Sequence, residues 1–419
     1  MNKVEHREEA DNNNNNRVII HWSELCSDMV ELLARRLATP RDYMSFRGVC
    51  ESWRSQTPPL RLPWLMLHDD PKTRLRRFYS PIEDCVHSFD IPEIYGCFCC
   101  GYSKRWLVLF HKETNKISLM NPFSGGSVCL PSLPKLHTIG VSVREHRKWR
   151  QSPRYIHKLI LSKAPTSPDC VVVIIFGRGY LACCRPGDKK WILLDVEVEG
   201  PFLDVIFYKD QLLACCEFGL ITVFDVDEPY EDSSWDDVLS VLPKDDEYGG
   251  PEQRFFLTSP DGSQVDEMEN MRFYMVESCR GDLLLALQLK HDLSKGEDIK
   301  NSTVEFLLFR LDNSTDRGPQ WVRLESLGEE ALFLGKNESR SLAVPNDDGS
   351  LQGLRKNCIY FTEFECGSLT GNTEDPHWDL DMGVYSFEDR SVSNYIISKE
   401  PYLIGGGKQV WESPPIWLN

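Results

Sequence analysis

The sequence predicts a mainly β protein with a small helical module at the N-terminus, followed by one large domain of repeated strand pairs. Two patterns predict this fold class. Apolar residues recur at helical spacing only near the start of the chain. Further on, short runs rich in β-branched and aromatic residues are bounded by Gly, Pro, Asp and Asn. A chain of 419 residues is long enough for both parts.

Composition and charge limit the class of partner. Apolar residues make up 41% and charged residues 26%, as in globular proteins. The net charge of -17 argues against nucleic acid and against anionic lipid, because both attract a concentrated basic face. No apolar run is long enough to span a membrane, and the N-terminus lacks the apolar region of a signal peptide. With 15 cysteines expected to stay reduced, we expect a protein of the cytoplasm, the nucleus or both.

The helical module is predicted at residues 21–59, after a charged, Asn-rich stretch at residues 1–20 that we expect to be a disordered tail. Asp28 is the expected N-cap of the first helix, with Glu31 three residues later. One face of this helix is apolar and consists of Met29, Leu32, Leu33 and Leu37.

A second helix is predicted to begin at Thr39-Pro40, because threonine can cap it and proline suits the first helical position. Pro58-Pro59 ends it. Its apolar stripe consists of Tyr43, Phe46, Val49, Cys50 and Trp53. Two short helices cannot bury both stripes in each other. The remaining apolar surface must cover a partner or the rest of the chain, and the pattern alone leaves both open.

The stretches LCSDMVELL (25–33) and FRGVCESWR (46–54) resemble an F-box. The family pattern is Leu-Pro, a helix rich in Leu and Ile, a basic-Leu turn, and a closing Phe-Arg-x-Val-Cys-x-x-Trp. Cys26 stands where the family usually has proline, which concerns the rigidity of the turn before the first helix.

This resemblance implies that the module docks a Skp-family adaptor, which bridges to cullin and RING subunits. The implied docking surface includes Leu25, Met29, Leu32, Leu33, Leu37, Val49, Cys50 and Trp53. Burying one large apolar side chain contributes roughly 1.5–3 kcal/mol, so a handful of them can sustain a stable interface.

The large domain is predicted at residues 93–419, after a connecting segment at 60–92. Pairs of strands recur every few tens of residues, as in YLACCRPGDKKWILLDV and LLACCEFGLITVFDV. Sequential hairpins without intervening helices favour a β-propeller, and about 40–50 residues per blade predict six to seven blades. One helix is expected at Ser234–Leu242, and the closing strand is expected within Lys408–Trp417.

Several stretches of this domain, including NPFSGGSVCLPSL (121–133) and the ending PPIWL, resemble the C-terminal domain of a large group of plant F-box proteins. That domain was long labelled as of unknown function and is regarded as kelch-like. The resemblance implies a plant protein of the SCF adaptor type and leaves the target unidentified.

Catalytic and metal-binding patterns do not emerge. Gly405–Lys408 lacks the Ser or Thr of a phosphate-binding loop. Cys97 and Cys100 form a C-x-x-C without a second pair at zinc spacing, and adjacent cysteines on a strand point to opposite faces. We therefore expect no metal, no cofactor and no catalytic residue.

The acidic insertion at about 225–269 has the most unusual local composition. It is either a solvated surface loop or part of a site for a basic target segment. In the second case, Tyr230, Trp235 and Tyr248 are the candidate target-binding residues.

These observations predict a non-catalytic substrate adaptor of an SCF-type ubiquitin ligase, in which the module docks the Skp-family adaptor and the β-domain holds the target. Such an adaptor acts by proximity, because holding two reactants together makes their reaction effectively unimolecular. The alternatives are an F-box scaffold or decoy that works without a ligase, and a β-propeller enzyme.

Overall fold

In the computed structural model, the chain forms two compact units, Met1–Leu62 and Pro63–Asn419. The structure describes residues 22–36, 45–57, 63–69, 75–89, 91–111, 114, 116–122, 126–132, 156–194, 200–216, 220–224, 238–240, 257–258, 264–265, 271–291, 302–312, 320–344, 353–366, 378–394 and 416–418. Each unit is considered by itself.

The N-terminal unit is helical. A 3-10 turn at Trp22–Glu24 precedes helix α1 (Ser27–Arg35), and helix α2 (Glu51–Gln56) contacts α1. Residues 45–47 are also helical. None of the described helices is long and apolar enough to cross a membrane.

Two details of this unit differ from the prediction. The N-cap of α1 is Cys26 and not Asp28, which lies in the first turn, and no side chain caps the helix. The predicted second helix is interrupted at residues 48–50, where Cys50 adopts extended backbone and its sulfur accepts a hydrogen bond from the Trp53 N–H. Gly48 favours this break because glycine weakens a helix interior. The predicted start at Thr39-Pro40 lies outside the described residues.

The second unit is a β-propeller, and its described strands form six blades. In each blade, the strands named next to each other are hydrogen-bonded neighbours. Blade 1 consists of β27 (Ile416–Leu418), β1 (Trp64–Asp69), β2 (Arg76–Ser80) and β3 (Cys85–Phe89). Blade 2 consists of β4 (Cys97–Ser103), β5 (Trp106–His111), β6 (Ile117–Met120) and β7 (Ser127–Cys129), after a 3-10 turn at Pro92–Ile94. Blade 3 consists of β8 (Ile156–Leu161), β9 (Val172–Phe176), β10 (Tyr180–Cys184) and β11 (Ile192–Leu193).

The remaining blades follow in the same direction around the ring. Blade 4 consists of β12 (Phe202–Tyr208), β13 (Gln211–Cys216), β14 (Leu220–Phe224) and β15 (Val238–Ser240). Between blades 4 and 5 along the chain, β16 (Leu257–Thr258) and β17 (Gln264–Val265) form a separate two-stranded sheet. Blade 5 consists of β18 (Met271–Glu277), β19 (Leu283–His291), β20 (Ser302–Asp312) and β21 (Gln320–Leu324). Blade 6 consists of β23 (Arg340–Ala343), β22 (Glu330–Leu334), β24 (Cys358–Cys366), β25 (Trp378–Ser386) and β26 (Ser391–Asn394).

The core of the propeller lies between neighbouring blades. In strand β9 of blade 3, for example, successive side chains point alternately to the two neighbouring blades. Val172, Ile174 and Phe176 face blade 2, whereas Val173 and Ile175 face blade 4. A strand covered on both faces reads as a continuous apolar run, which is the pattern that predicted the domain.

Blade 6 departs from the simple antiparallel pattern. Its strands β22 and β24 run parallel, and the hairpin β22–β23 adds a fifth strand at one edge. Strand β23 contacts β18, the first strand of blade 5. In the neighbouring blades the first strands β4, β8, β12 and β18 contact one another in order, so β23 belongs to the inner ring.

The propeller begins earlier than predicted. About half of the expected connecting segment, residues 60–92, forms strands β1 to β3 of blade 1. The closing strand does come from the C-terminus, at Ile416–Leu418, where it pairs antiparallel with β1. The expected helix at Ser234–Leu242 is wrong for its described part, because Val238–Ser240 forms β15 and completes the hydrogen bonds at the edge of β14.

Candidate docking surface

Trp53 holds the N-terminal unit together from inside. Its side chain is 8% exposed and its indole ring stacks on Phe46, with ring centroids 4.4 Å apart. The indole Nε1–H donates to the Trp22 carbonyl oxygen at 2.8 Å. The Thr57 hydroxyl donates to the Trp53 carbonyl oxygen at 2.7 Å and closes the end of α2. Trp53 therefore lies in the core of the unit and not on its surface.

Helix α1 divides its apolar residues between two faces. Val30 and Ala34, four positions apart, are buried. Met29 and Leu32 lie on the other side and are 46% and 47% exposed. A helix that buries one apolar stripe and shows another has a surface left for a second polypeptide.

Two more large apolar side chains are exposed in this unit. Val49, in the interruption before α2, is 60% exposed, and Trp22 is 65% exposed. The sequence prediction did not include Trp22. Its signal is a tryptophan directly before the first helix, where nothing in the helical periodicity accounts for it. We call Trp22, Met29, Leu32 and Val49 the exposed apolar set.

The other predicted docking residues are less accessible. Leu25, Leu33 and Cys50 are half-buried. Leu37 lies outside the described residues. The structure thus places Met29, Leu32 and Val49 at the surface and Trp53 beneath it.

Cys26, at the position where proline is usual, keeps a backbone that proline favours. Its φ of -64° and ψ of 153° match the fixed φ near -65° that a proline ring imposes. The backbone at Cys26 is therefore compatible with the proline that is usual at this position.

Candidate target-binding residues on the propeller are not located by the structure. Tyr230, Trp235 and Tyr248 lie outside the described residues. Within the predicted acidic insertion, the described parts are strands β15, β16 and β17. Strand β15 is the outer strand of blade 4, so part of the insertion belongs to the propeller framework.

The buried cysteines serve as packing groups. Cys183 and Cys184 face different layers between blades, and so do Cys215 and Cys216. Burial raises the pKa of the Cys184 and Cys215 thiols, so they stay protonated and are poor metal ligands. Among the described residues, no group of three or more His, Cys, Asp or Glu side chains is arranged to hold a metal ion.

One contact between a thiol and an imidazole was not foreseen. Cys97 and His111 face each other across β4 and β5, with Sγ and Nδ1 3.3 Å apart. The other ring nitrogen, Nε2, lies 2.7 Å from the Ser118 hydroxyl. Cys97 and Ser118 are buried, and the three groups form a polar chain between strands of blade 2. These contacts give Cys97, the first cysteine of the C-x-x-C pattern, a role in internal hydrogen bonding.

Comparison with known proteins gives a consistent result. Residues 78–386 match the family model described as KIB1-4 beta-propeller. F-box protein At2g26160 of Arabidopsis thaliana is 26% identical, with 82% of this chain and 95% of that protein covered. F-box protein SKIP23 of Arabidopsis thaliana is 23% identical over 96% of each chain. F-box/kelch-repeat protein At1g57790 of the same plant is 25% identical, covering 82% of this chain and 83% of that protein.

Solved structures resemble the chain only distantly. The N-terminal domain of Nup159 is 8% identical with a TM-score of 0.32, and covers 79% of this chain and 76% of that one. Raptor from Chaetomium thermophilum is 11% identical with a TM-score of 0.30, and covers 76% of this chain and 22% of that one. Similarity at this level carries no functional argument.

Proposed function

Because the chain belongs to the KIB1-4 beta-propeller family and its relatives are plant F-box proteins, we propose that it is the substrate adaptor of an SCF-type ubiquitin ligase. The F-box naming of the relatives and the six-bladed fold agree with the predicted class of protein. The N-terminal unit would dock a Skp-family adaptor and, through it, cullin and RING subunits. The propeller would hold the target, in the cytoplasm or the nucleus.

The exposed apolar set is the observation that supports docking. Four large apolar side chains stay at the surface of a unit whose own core is already filled by Trp53, Val30 and Ala34. Covering each of them contributes roughly 1.5–3 kcal/mol, of which part offsets the loss of freedom on association. In this proposal Met29, Leu32 and Val49 contact the adaptor, and Trp53 fixes the geometry of the helices from below.

The proposed mechanism needs no bond chemistry from this chain. A target lysine and the thioester of a charged ubiquitin-conjugating enzyme react faster when one assembly holds both. The adaptor therefore contributes affinity for the target and a fixed position for it. No catalytic residue is assigned, and no cofactor is required.

Co-purification with a Skp-type adaptor tests the docking step. Leu32→Asp and Val49→Asp place a charge in the proposed interface and are expected to abolish binding. Val322→Asp is the matched control, because Val322 is also an exposed valine, at 40%, but lies on β21 of the propeller. Binding that survives both Leu32→Asp and Val49→Asp would contradict the proposal.

Target binding is proposed for the acidic insertion. Acidic residues with Tyr230, Trp235 and Tyr248 offer charge and aromatic surface to a basic segment. Deleting the whole region would remove β15 from blade 4, so single substitutions to alanine are the cleaner test. Loss of target pull-down with unchanged thermal unfolding is expected, and full pull-down by the triple variant would exclude these residues.

A further inference from the structure

Residues 335–339, between β22 and β23 of blade 6, reach across the centre of the ring. We call them the clasp. The Glu338 backbone N–H donates to the Tyr102 carbonyl oxygen in blade 2 at 3.0 Å. The Glu338 carboxylate accepts hydrogen bonds from the Ser103 hydroxyl at 2.8 Å and from the Lys104 Nζ at 2.9 Å. Blade 6 is therefore bonded to blade 2, which is not its neighbour in the ring.

The clasp also bonds to the opposite side of the ring. Lys158 Nζ, in blade 3, donates to the Ser339 hydroxyl at 3.3 Å and forms a buried ion pair with Asp204 of blade 4. Asp204 Oδ2 in turn accepts from the Met275 backbone N–H of blade 5 at 2.6 Å. In a ring of six, blade 3 lies opposite blade 6, so these bonds span the central channel.

The clasp is a fitted structure. Asn337 is fully buried, and its side-chain amide donates to the Glu338 carbonyl oxygen at 2.9 Å. A Cβ atom on Gly335 would lie 2.6 Å from the Thr362 hydroxyl oxygen and 2.9 Å from the Asn337 amide oxygen, so any side chain here would force these groups to move. Burial opposes ionisation of Glu338, but Lys104 and Arg340 outweigh it and hold the pKa of this carboxyl below its ordinary value. Glu338 is thus a charged acceptor, and bonds to such groups are the stronger ones.

The turn of blade 2 that Glu338 contacts has a strained backbone. Lys104 and Arg105 form the two-residue turn between β4 and β5, with φ of 46° and 72°. Such a turn favours Asn and Gly, and a long side chain there costs conformational energy that surrounding contacts must offset. Glu338 Oε2 accepts from the Lys104 backbone N–H at 3.3 Å, which gives the turn such a contact.

Blade 1 is held in a different way. It packs against blade 6 through an apolar cluster that includes Trp417 of β27, which is fully buried. The Trp417 ring meets Phe333 and Tyr360 edge to face, with centroids 5.1 and 6.2 Å away. The polar bonds of the clasp reach blades 2 and 3 directly, and they continue to blades 4 and 5 through Lys158 and Asp204.

We infer that the clasp is a second closure of the propeller ring, which holds blades 2 to 6 together without blade 1. The first closure is the pairing of β27 with β1. With two closures, blade 1 can open as a separate unit while the other five blades keep their packing. A ring closed only at β27 would instead lose all its blades in one step.

Native-state hydrogen exchange on the unaltered protein at low denaturant tests this inference. Amides of β1 and β2 are expected to exchange about tenfold or more faster than the slowest amides of β5, β9, β13 and β19, through an opening that exposes less surface. Equal rates and equal denaturant dependence in all six blades would overturn it.

Substitution of the clasp provides the second arm. Glu338→Ala should raise exchange in blades 2 and 6 toward the rate of blade 1. The control is Glu325→Ala, which removes a carboxylate whose ion pair with Arg390 is exposed at the surface. If Glu338→Ala leaves the difference between blade 1 and the other blades unchanged, the clasp is not a ring closure.

Discussion

In strand β9 of the propeller all five side chains are buried, whereas in helix α1 of the N-terminal unit Met29 and Leu32 remain about half exposed. The two segments are similarly apolar, but β9 is covered by protein on both faces, whereas α1 is covered on only one. Each sheet of a closed ring is covered on both faces by its neighbours. Two short helices cover only one face of each other, so the second stripe stays open. The buried fraction of an apolar segment therefore depends first on how many faces the surrounding architecture covers, and only then on the composition of the segment.

The largest effect is expected where a propeller side chain is sealed on all sides. Phe176→Ala removes a fully buried ring between blades 2 and 3, and should lower the free energy of unfolding by about 3–5 kcal/mol. Chemical denaturation of the purified protein measures this change. Val322→Ala, at an exposed position, should shift stability by at most about 0.5 kcal/mol.

Trp53→Ala should destabilise the N-terminal unit by about 3 kcal/mol, because it removes the ring that Trp22 and Phe46 contact. Peptides from residues 22–57 should lose protection in hydrogen exchange while the slow amides of β9 keep theirs. Leu32→Asp should leave both regions protected and still lose the Skp-type adaptor. Equal protection of residues 22–57 in the two variants would show that Trp53 does not support this unit.

A pH effect of moderate size is expected from Glu338. A carboxyl group with a lowered pKa in the folded protein contributes stability above its unfolded pKa, and that contribution is lost as pH falls through the folded value. The stability of the protein should therefore exceed that of Glu338→Gln near pH 7, and the difference should shrink below about pH 4, near the ordinary Glu value. Urea titrations at both pH values measure it, and a constant difference would contradict the role of the charge.

The smallest effect is expected at Cys26. Cys26→Pro should raise the stability of the N-terminal unit by about 0.5 kcal/mol, since the backbone already has the φ of proline and the unfolded chain loses freedom. Affinity for the Skp-type adaptor should stay the same or rise slightly. A clear loss of either would mean that the turn before α1 differs from the one that proline favours.

Much of the propeller could be predicted from the sequence because its central strands are covered on both faces. The runs at β5 and β9 are continuous and apolar, and with similar runs elsewhere they marked the domain as a series of hairpins. Blade 1 was missed because its strands lie among prolines and charges, and because its fourth strand comes from the other end of the chain. The parallel pairing of β22 with β24 was not foreseen either, since periodicity shows which face is buried and not which strand is the neighbour.

The docking surface was predicted in outline and not in detail. Helical periodicity identifies an apolar stripe, yet it cannot divide that stripe between a core and a surface. Of the predicted stripes, Trp53 lies in the core and Met29 and Val49 are exposed, whereas Val30, which the prediction did not include, is buried. The break at residues 48–50 turned Val49 outward, and a continuous helix would have placed it beside Trp53.

Oxidative footprinting of the protein with and without a Skp-type adaptor tests the proposed docking most directly. Met29, a member of the exposed apolar set, should oxidise readily in the free protein and be protected when the adaptor is bound. Met66, fully buried in blade 1, is the internal reference and should oxidise slowly in both states. Equal oxidation of Met29 with and without saturating adaptor would contradict the proposal that this surface is where the partner binds.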